Sequence, residues 1–310
     1  LADGDVVLVT SKVVSKSEGQ VVAGTREESL PGETARVVAR RGPTRIVRTH
    51  HGFTLAAGGI DASNVAAGHV VLLPLDPDAS ARVLRAGLRE LTGRNVAVIV
   101  TDTAGRPWRE GQTDLAVGAA GLRVLEDFTG RQDDYGNDLV ITAPAVADEL
   151  AAAAELAKGK LSARPFAVVR GRADLVLAED DDGPGAAALV RPEAEDLFGL
   201  GSRDAVAAAT RRSERDLRGF PTPVDELPTR LAKLVELAGH GYPAVEPGVE
   251  HSVVVVRPAG DRTATDRDVA LAAGAVAERL AALGWADRLD VDATSTPPGA
   301  VLALTITSRT

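Results

Sequence analysis

The sequence has no cysteine, no methionine and only 3% aromatic residues. Without cysteine there are no disulfides, no thiolate metal sites, no iron–sulfur clusters and no cysteine nucleophile. Without methionine even an initiator is missing, and the chain starts abruptly at Leu1 in front of a strand-like run, so a further N-terminal segment is expected. No apolar run approaches the ~18–20 residues of a membrane span, and no charged-then-apolar leader opens the chain. Neither membrane insertion nor secretion is therefore expected. Positive charge is also scarce: the formal net charge is −9, which argues against a nucleic-acid surface. Among 35 basic residues only Lys12, Lys16, Lys158, Lys160 and Lys233 are lysines. A coding preference for arginine accounts for that ratio, but not for four of the five falling in two short clusters. A compact ammonium on a flexible stem is a common phosphate contact, so these four are candidate anion ligands.

What is present is globular in character: 310 residues, 45% hydrophobic and 25% charged, enough for one large domain or two ordinary ones. Short apolar runs alternate with helical patterns, which predicts an α+β (mixed α/β) fold. Val6–Thr10 reads as a buried strand, and Arg45–Val47 and Val70–Leu73 as further strands. A helix is predicted from Pro77 to about Leu91, with Asp76 as N-cap and Gly93 as the stop. Asn95–Thr101 is apolar on both faces and reads as a buried strand, with Asp102 just past its end. Leu139–Thr142 and Phe166–Val169 read as strands, and Ala143–Lys158 as a helix ended by Gly159. Pro221, Pro223 and Pro228 mark a linker. A helix near Leu231–Leu237, a strand at Ser252–Val256, a helix near Asp266–Leu283 and a strand at Val301–Thr307 then suggest a small C-terminal α/β unit.

Three segments can carry chemistry. Thr10-Ser11-Lys12-Val13-Val14-Ser15-Lys16 directly follows a buried strand, where ligands of open α/β sheets collect; it reads equally as a polar strand-to-helix turn. It is not a Walker A loop, and no G-x-G-x-x-G occurs. In Val100–Gly111, Asp102 could hold a hard cation such as Mg²⁺, and Arg106 and Arg109 around Trp108 could clamp phosphate or carboxylate. The alternative there is an Asp-capped turn with Arg–Glu surface pairs. Asp148 and Glu149 lie about 100° apart on a helix, so they could serve two neighbouring metals or be ordinary surface acids. Tyr135-Gly136-Asn137 reads as a turn with Asn137 able to take left-handed geometry, and Asp180–Asp182 as a solvated acidic loop. His50-His51 is rejected as a metal pair, because adjacent strand residues face opposite ways.

The stretches DGDVVLVTSKVVSKSEGQVV, GGIDASNV, LLPLDPDASARVLRAGLRE, VTDTAGRPWREGQTDLAVGAAGL, DDYGNDLVIT and VADELAAAAELAKGKL occur in this order between Leu1 and Gly201. They resemble the coenzyme F420-0:L-glutamate ligase (γ-glutamyl ligase) family, especially its actinobacterial branch, where the ligase is often fused to a flavin-dependent nitroreductase-like domain. The resemblance implies a catalytic domain over 1–202, with a fold of its own, and a C-terminal extension of unassigned role over 203–310. It implies GTP-dependent joining of the F420-0 carboxylate to L-glutamate through an acyl phosphate, with further γ-linked glutamates. By similarity Ser11 and Lys16, with Lys12 nearby, would contact GTP. Asp102 would bind Mg²⁺ or Mn²⁺, with Asp148 and Glu149 as further metal ligands, and Arg106 and Arg109 would act with Asp102 in catalysis. Stimulation by K⁺, a homodimer and a cytoplasmic location are further implications, with no nucleic-acid or membrane partner.

Three departures from the family pattern bear on these expectations. A G-L-P-type stretch that touches nucleotide has no counterpart ahead of Leu1. The run Gly185-Ala186-Ala187-Ala188 replaces polar residues that reach nucleotide and metal, so coordination from this loop is not expected. The tail from about Arg203 is too short for a complete nitroreductase-like domain, although Arg211-Arg212-Ser213 faintly resembles the start of one. A bifunctional ligase with a flavin-dependent F420 maturation activity, and a non-catalytic nucleotide or F420 binder, are the alternative functions.

Overall fold

The computed structural model describes residues 1–192, 195–196, 198–210, 226–250, 253–260, 264–287 and 289–308. The chain divides into two compact units, Leu1–Arg36 with Ile46–Leu197, and Val37–Arg45 with Phe198–Thr310. Its elements run β1 (Val6–Thr10), α1 (Ser11–Ser17), β2 (Val21–Ala23), α2 (Arg26–Ser29), β3 (Thr34–Arg41), β4 (Thr44–Thr49) and β5 (Thr54–Ala56). They continue with β6 (His69–Val71), α3 (Pro77–Thr92), β7 (Ala97–Arg106), β8 (Arg109–Ala120), α4 (Val146–Lys158) and β9 (Phe166–Val169). The fold is α+β, as the alternating patterns predict.

The first unit is organised by a four-stranded sheet of order β8-β7-β1-β9. β1 and β7 are parallel, with Val6 opposite Ala97 and Thr10 opposite Thr101, so the carboxyl end of β1 lies beside Thr101 and β7 runs on to Arg106. β8 and β9 flank them antiparallel. The central strands are apolar over Val6–Val9 and Ala97–Val100, where both faces are covered. Val6, Leu8, Ala97 and Ile99 pack with Val146, Ala147, Leu150 and Ala154 of α4. The alternate residues Val9, Val98 and Val100 pack on the other face with Val14 of α1 and Ala81 of α3.

Helix α3 begins and ends where its capping residues dictate: Asp76 Oδ1 accepts from the Ala79 amide at 2.9 Å, and Gly93 closes it with φ 66°. Its Arg85 is buried and donates to the carbonyls of Val96, Ala178 and Asp181 and to the carboxylate of Asp182. The acidic loop Asp180–Asp182 is exposed, as the sequence predicts, while its backbone and the Asp182 carboxylate also cap a buried guanidinium. The alanine run is docked on the same helix, because the amides of Ala186 and Ala187 donate to Asp78.

Several expectations are corrected. Asp102 lies inside β7, not past its end, because the strand continues into a hairpin with β8. Leu139–Thr142 forms no strand; its backbone makes only scattered hydrogen bonds to residues 128–131, and Val140 and Ile141 are exposed. α4 starts at Val146 rather than Ala143, as Pro144 disfavours helical geometry in the residue before it. In the 135–137 turn it is Gly136 that takes positive φ, at 83°, while Asp133 accepts from the Tyr135 and Asn137 amides.

The second unit contains α5 (Ser202–Ala209), α6 (Leu227–Gly239), β10 (Val245–Glu250), β11 (Val253–Pro258), α7 (Asp266–Ala286), β12 (Leu289–Ala293) and β13 (Leu302–Ser308). Its sheet has the antiparallel order β10-β11-β13-β12. Pro228 belongs to the first turn of α6 rather than to a linker; Pro221, Pro223 and Arg211-Arg212-Ser213 lie outside the described residues. Contrary to the reading of apolar runs, the 21-residue α7 is long and apolar enough by composition to cross a membrane. Glu278 and Arg279 interrupt its apolar run and hide that length in the sequence. In the fold it is a core helix, with Ala272, Ala273, Val276, Leu280 and Leu283 buried in the cluster that the sheet lines.

One contact tests the packing of α3 on the sheet. A Cβ at Gly118 of β8 would lie 2.2 Å from the Pro77 carbonyl oxygen. Gly118→Ala is expected to cost ~1–3 kcal/mol through overpacking, read as a lower urea midpoint at unchanged m-value. An unchanged midpoint would mean that the start of α3 is not seated on this strand.

Candidate active site

Alternation along β7 decides what reaches each side of the sheet. Thr101 and Thr103 point toward α4, whereas Asp102 between them meets α1. Ser11, the first residue of α1, donates to Asp102 Oδ1 at 2.9 Å. Because Thr10 and Thr101 are register partners, the step from β1 into α1 sets Ser11 beside the residue after Thr101.

On the α4 side a buried polar cluster has formed. Asp114 of β8 accepts from Thr101 Oγ1 at 2.9 Å, from Thr103 Oγ1 at 2.8 Å and from Lys158 Nζ at 2.9 Å. Lys158 also donates to Thr101 Oγ1 and lies 3.3 Å from Glu155. Asp114 and Lys158 are each only 3% exposed. Both neighbours of Asp102 are therefore held through one carboxylate.

On the α1 side, Lys12 pairs with Asp61 at 2.5 Å and donates to Ser63 Oγ at 2.7 Å. Lys16 donates to the Asn64 carbonyl at 2.6 Å. Asn64 holds φ 56°, a left-handed geometry that asparagine tolerates, and this turns its carbonyl to the lysine. Residues 61–64 thus fasten both lysines of α1.

These elements border a cleft of about 410 Å³ lined by Lys12, Lys16, Thr103, Lys158, Lys160 and Arg164, among others. The two lysine clusters, 142 residues apart from Lys16 to Lys158, meet in one place. Arg106 and Arg109 do not join them. They face each other at the tip of the β7–β8 hairpin, about 13 Å along the strand from Asp102 at ~3.3 Å per residue. Arg106 donates to the Glu110 carbonyl and Arg109 is exposed.

Asp148 and Glu149 sit on α4, on the other side of the sheet from the Asp102 carboxylate. Asp148 Oδ1 accepts from the Ala116 amide at 2.9 Å, and Glu149 is exposed. Burial raises the Asp148 pKa against that hydrogen bond. Among the described residues, no group of three or more histidine or carboxylate side chains converges to hold a metal unaided. Asp61, Asp114 and the flanking threonines had no role in the sequence reading. An acid within the apolar run of β8 and a lone lysine closing an alanine helix are the signals that could have found the buried pair.

Burial pushes the Asp102 carboxyl up to about 6 from 3.8; the charges of Asp114 and Asp61 act the same way, against hydrogen bonds from Ser11 and Thr103. A carboxyl whose folded pKa is raised binds its proton more tightly when folded, so its contribution to stability is lost as pH rises from about 4 to about 6. Asp102 keeps some contact with solvent, which trims the effect. Asp102→Asn is therefore expected to raise stability by ~2 kcal/mol near neutral pH and to change nothing at about pH 3, by urea titration at both. Lys158→Met is expected to cost ~3–5 kcal/mol by leaving Asp114 buried and unpaired, with most of the loss recovered when Asp114→Leu is added.

The family model described as F420-0:Gamma-glutamyl ligase matches residues 27–171. The coenzyme F420:L-glutamate ligase of Methanothermobacter thermautotrophicus is 38% identical over 219 residues, covering 64% of this chain and 86% of that protein. The protein of the same name from Methanopyrus kandleri is 40% identical over 220 residues, with the same 64% and 86% coverage. That of Archaeoglobus fulgidus is 41% identical over 191 residues, covering 54% of this chain and 76% of its own length. With relatives this similar across most of their length, the chain belongs to the coenzyme F420:L-glutamate ligase family.

Proposed function

We propose that the protein is a ligase that joins L-glutamate to coenzyme F420-0, with GTP as the phosphoryl donor. The observation that carries the reading is the Asp102–Ser11 pair beside the lysine-lined cleft, in a chain whose relatives bear the ligase name. A carboxylate is a poor electrophile at neutral pH. Transfer of the γ-phosphoryl group of GTP to the F420-0 carboxylate gives an acyl phosphate and GDP. The amine of glutamate then attacks the acyl carbon, the C–N bond forms, and inorganic phosphate leaves with the electron pair of the C–O bond. Such a transfer is mainly a matter of positioning and of charge neutralisation.

The chain's own residues suit these tasks. Ser11 and Lys16, on successive turns of α1, are the proposed contacts to GTP, and Lys12 is steadied beside them by Asp61 and Ser63. Asp102 is the proposed holder of Mg²⁺ or Mn²⁺. Its oxygen donors match a hard cation, its hydrogen-bond partners Ser11 and Thr103 are uncharged, and neighbouring Asp114 and Asp61 make its negative charge costly. Mg²⁺ asks for only one or two protein carboxylates when phosphate oxygens complete its shell. When bound, the ion would supply neutralisation of charge on the transferring phosphoryl group.

A cytoplasmic homodimer belongs to the same proposal. GTP is an intracellular substrate, and the exposed side chains of Trp108, Tyr135, Val140 and Ile141 offer apolar surface that a second copy would cover. Light scattering is expected to give the mass of two chains.

The discriminating assay follows GTP hydrolysis together with the glutamate-dependent mass gain of F420-0. Asp102→Ala is expected to lower both by at least ~10²-fold while circular dichroism stays that of the folded protein. Turnover retained in that variant would sink the role given to Asp102, and a wild-type protein without glutamate-dependent product would sink the function.

A further inference from the structure

The cleft gathers four of the five lysines of the chain, together with Arg164. Three of these cations are engaged: Lys12 by Asp61 and Ser63, Lys16 by the Asn64 carbonyl, and Lys158 by Asp114 and Glu155. Lys160 and Arg164 are not. Among the described residues neither has a hydrogen-bond or ion-pair partner, although both line the cleft. In a protein of net charge −9, with acids elsewhere in plenty, two cations left unmatched beside three matched ones mark where an anionic ligand belongs.

The backbone that carries them is constrained. Gly159 closes α4 at φ 64°, and Ala163 is held at φ 55°, a left-handed geometry that a residue with a Cβ adopts at a cost of ~1–2 kcal/mol. One end of the segment is fastened to α4, where Ser162 Oγ donates to the Lys158 carbonyl. The other end is fastened to the sheet, where the Thr10 amide donates to the Pro165 carbonyl at 3.0 Å. Thr10 is the residue immediately before Ser11, so the segment is tied to the same strand end from which α1 departs.

We propose that Lys160 and Arg164 form the docking site for the carboxylates of the amino-acid acceptor. The proposal rests on the ligase reading and names the place of its second substrate. An acceptor that reacts through its amine cannot be gripped by that amine, which must stay deprotonated and free to attack. Recognition therefore falls on its carboxylates. L-glutamate carries two, and the cleft offers two unmatched cations: a planar guanidinium, which takes a carboxylate through two parallel N–H···O bonds, and an ammonium, which takes one as a point charge. A phosphate oxygen shares this chemistry, so the kinetics must separate the two sources.

Lys160→Gln and Arg164→Gln are made in the full-length chain, with Arg164→Lys as the conservative variant. Each glutamine variant is expected to raise the KM for L-glutamate by roughly 10- to 100-fold, the worth of one charge-assisted contact, and to leave the KM for GTP and the kcat at saturating glutamate within about twofold. Arg164→Lys is expected to recover part of the loss, because charge is restored without the bidentate fork. A raised KM for GTP with glutamate unaffected would assign the two cations to phosphate and overturn the proposal. Unchanged constants for both substrates would show them to be surface charges only. Calorimetric titration of wild type and variants with L-glutamate alone keeps the two claims apart. If wild type makes no product yet binds glutamate more tightly than the variants do, the ligase reading fails and the docking site stands. If wild type makes product and titrates like the variants, the docking site fails.

Discussion

Asp114 is a buried ion at the head of the apolar half of β8, and its charge is tolerable only because Lys158 and two threonine hydroxyls surround it. A buried pair of this kind contributes little net stability, since desolvation of both ions offsets their attraction. What it supplies is geometry. Thr101 and Thr103 are tethered to one carboxylate on the α4 side, and the residue between them is thereby fixed toward α1. A hydrophobic pair would pack as well, but it would leave both threonine hydroxyls without their acceptor. The polar cluster therefore sets the direction of Asp102, and Asp102 sets the site.

A second constraint is parallel pairing. β1 ends beside Thr101 because it runs in register with β7 from Val6 opposite Ala97 to Thr10 opposite Thr101, while β7 continues to Arg106. Everything that follows β1 is delivered to the side of whatever follows Thr101. The segment before β9 arrives at the same place, because β9 is antiparallel to β1 and its preceding residue Pro165 is bonded to Thr10. Three parts of the sequence that are far apart reach one end of one sheet for purely topological reasons.

Much of this was legible in the sequence where local rules act alone. Asp76, Pro77 and Gly93 fix both ends of α3 through capping chemistry that needs no tertiary knowledge. The lysine clusters were legible as an oddity of composition, and their meeting in one cleft gives the oddity a physical reason. What failed were readings that depend on a partner elsewhere in the chain. Leu139–Thr142 has the residues of a strand, but its neighbour at 128–131 meets it through a few hydrogen bonds that never build a regular ladder. Asp102 through Gly111 has the residues of a turn but continues as strand because β8 is there to accept it. Arg106 and Arg109 are carried by the β7–β8 hairpin to its tip, away from Asp102. Asp114 and Lys158 were invisible as a pair because 44 residues separate them.

Local charge balance explains why one acid differs from its neighbours. Three carboxylates lie near one another at this end of the sheet, and the charges of Asp114 and Asp61 both add to the rise in the proton affinity of Asp102. Two ammonium groups are already committed, Lys12 to Asp61 and Lys158 to Asp114. Asp102 is held only by a hydroxyl and an amide, so its charge is the one left for a ligand to neutralise. On the cationic side the remainder is the reverse, since among the described residues Lys160 and Arg164 pair with no acid, the acids of the cleft, Asp114 and Glu155, being taken by Lys158. A site with one unmatched anion and two unmatched cations suits a reaction in which a cation and several anionic groups must arrive together. Neither remainder could be removed by pairing it internally without closing the place where its ligand would sit.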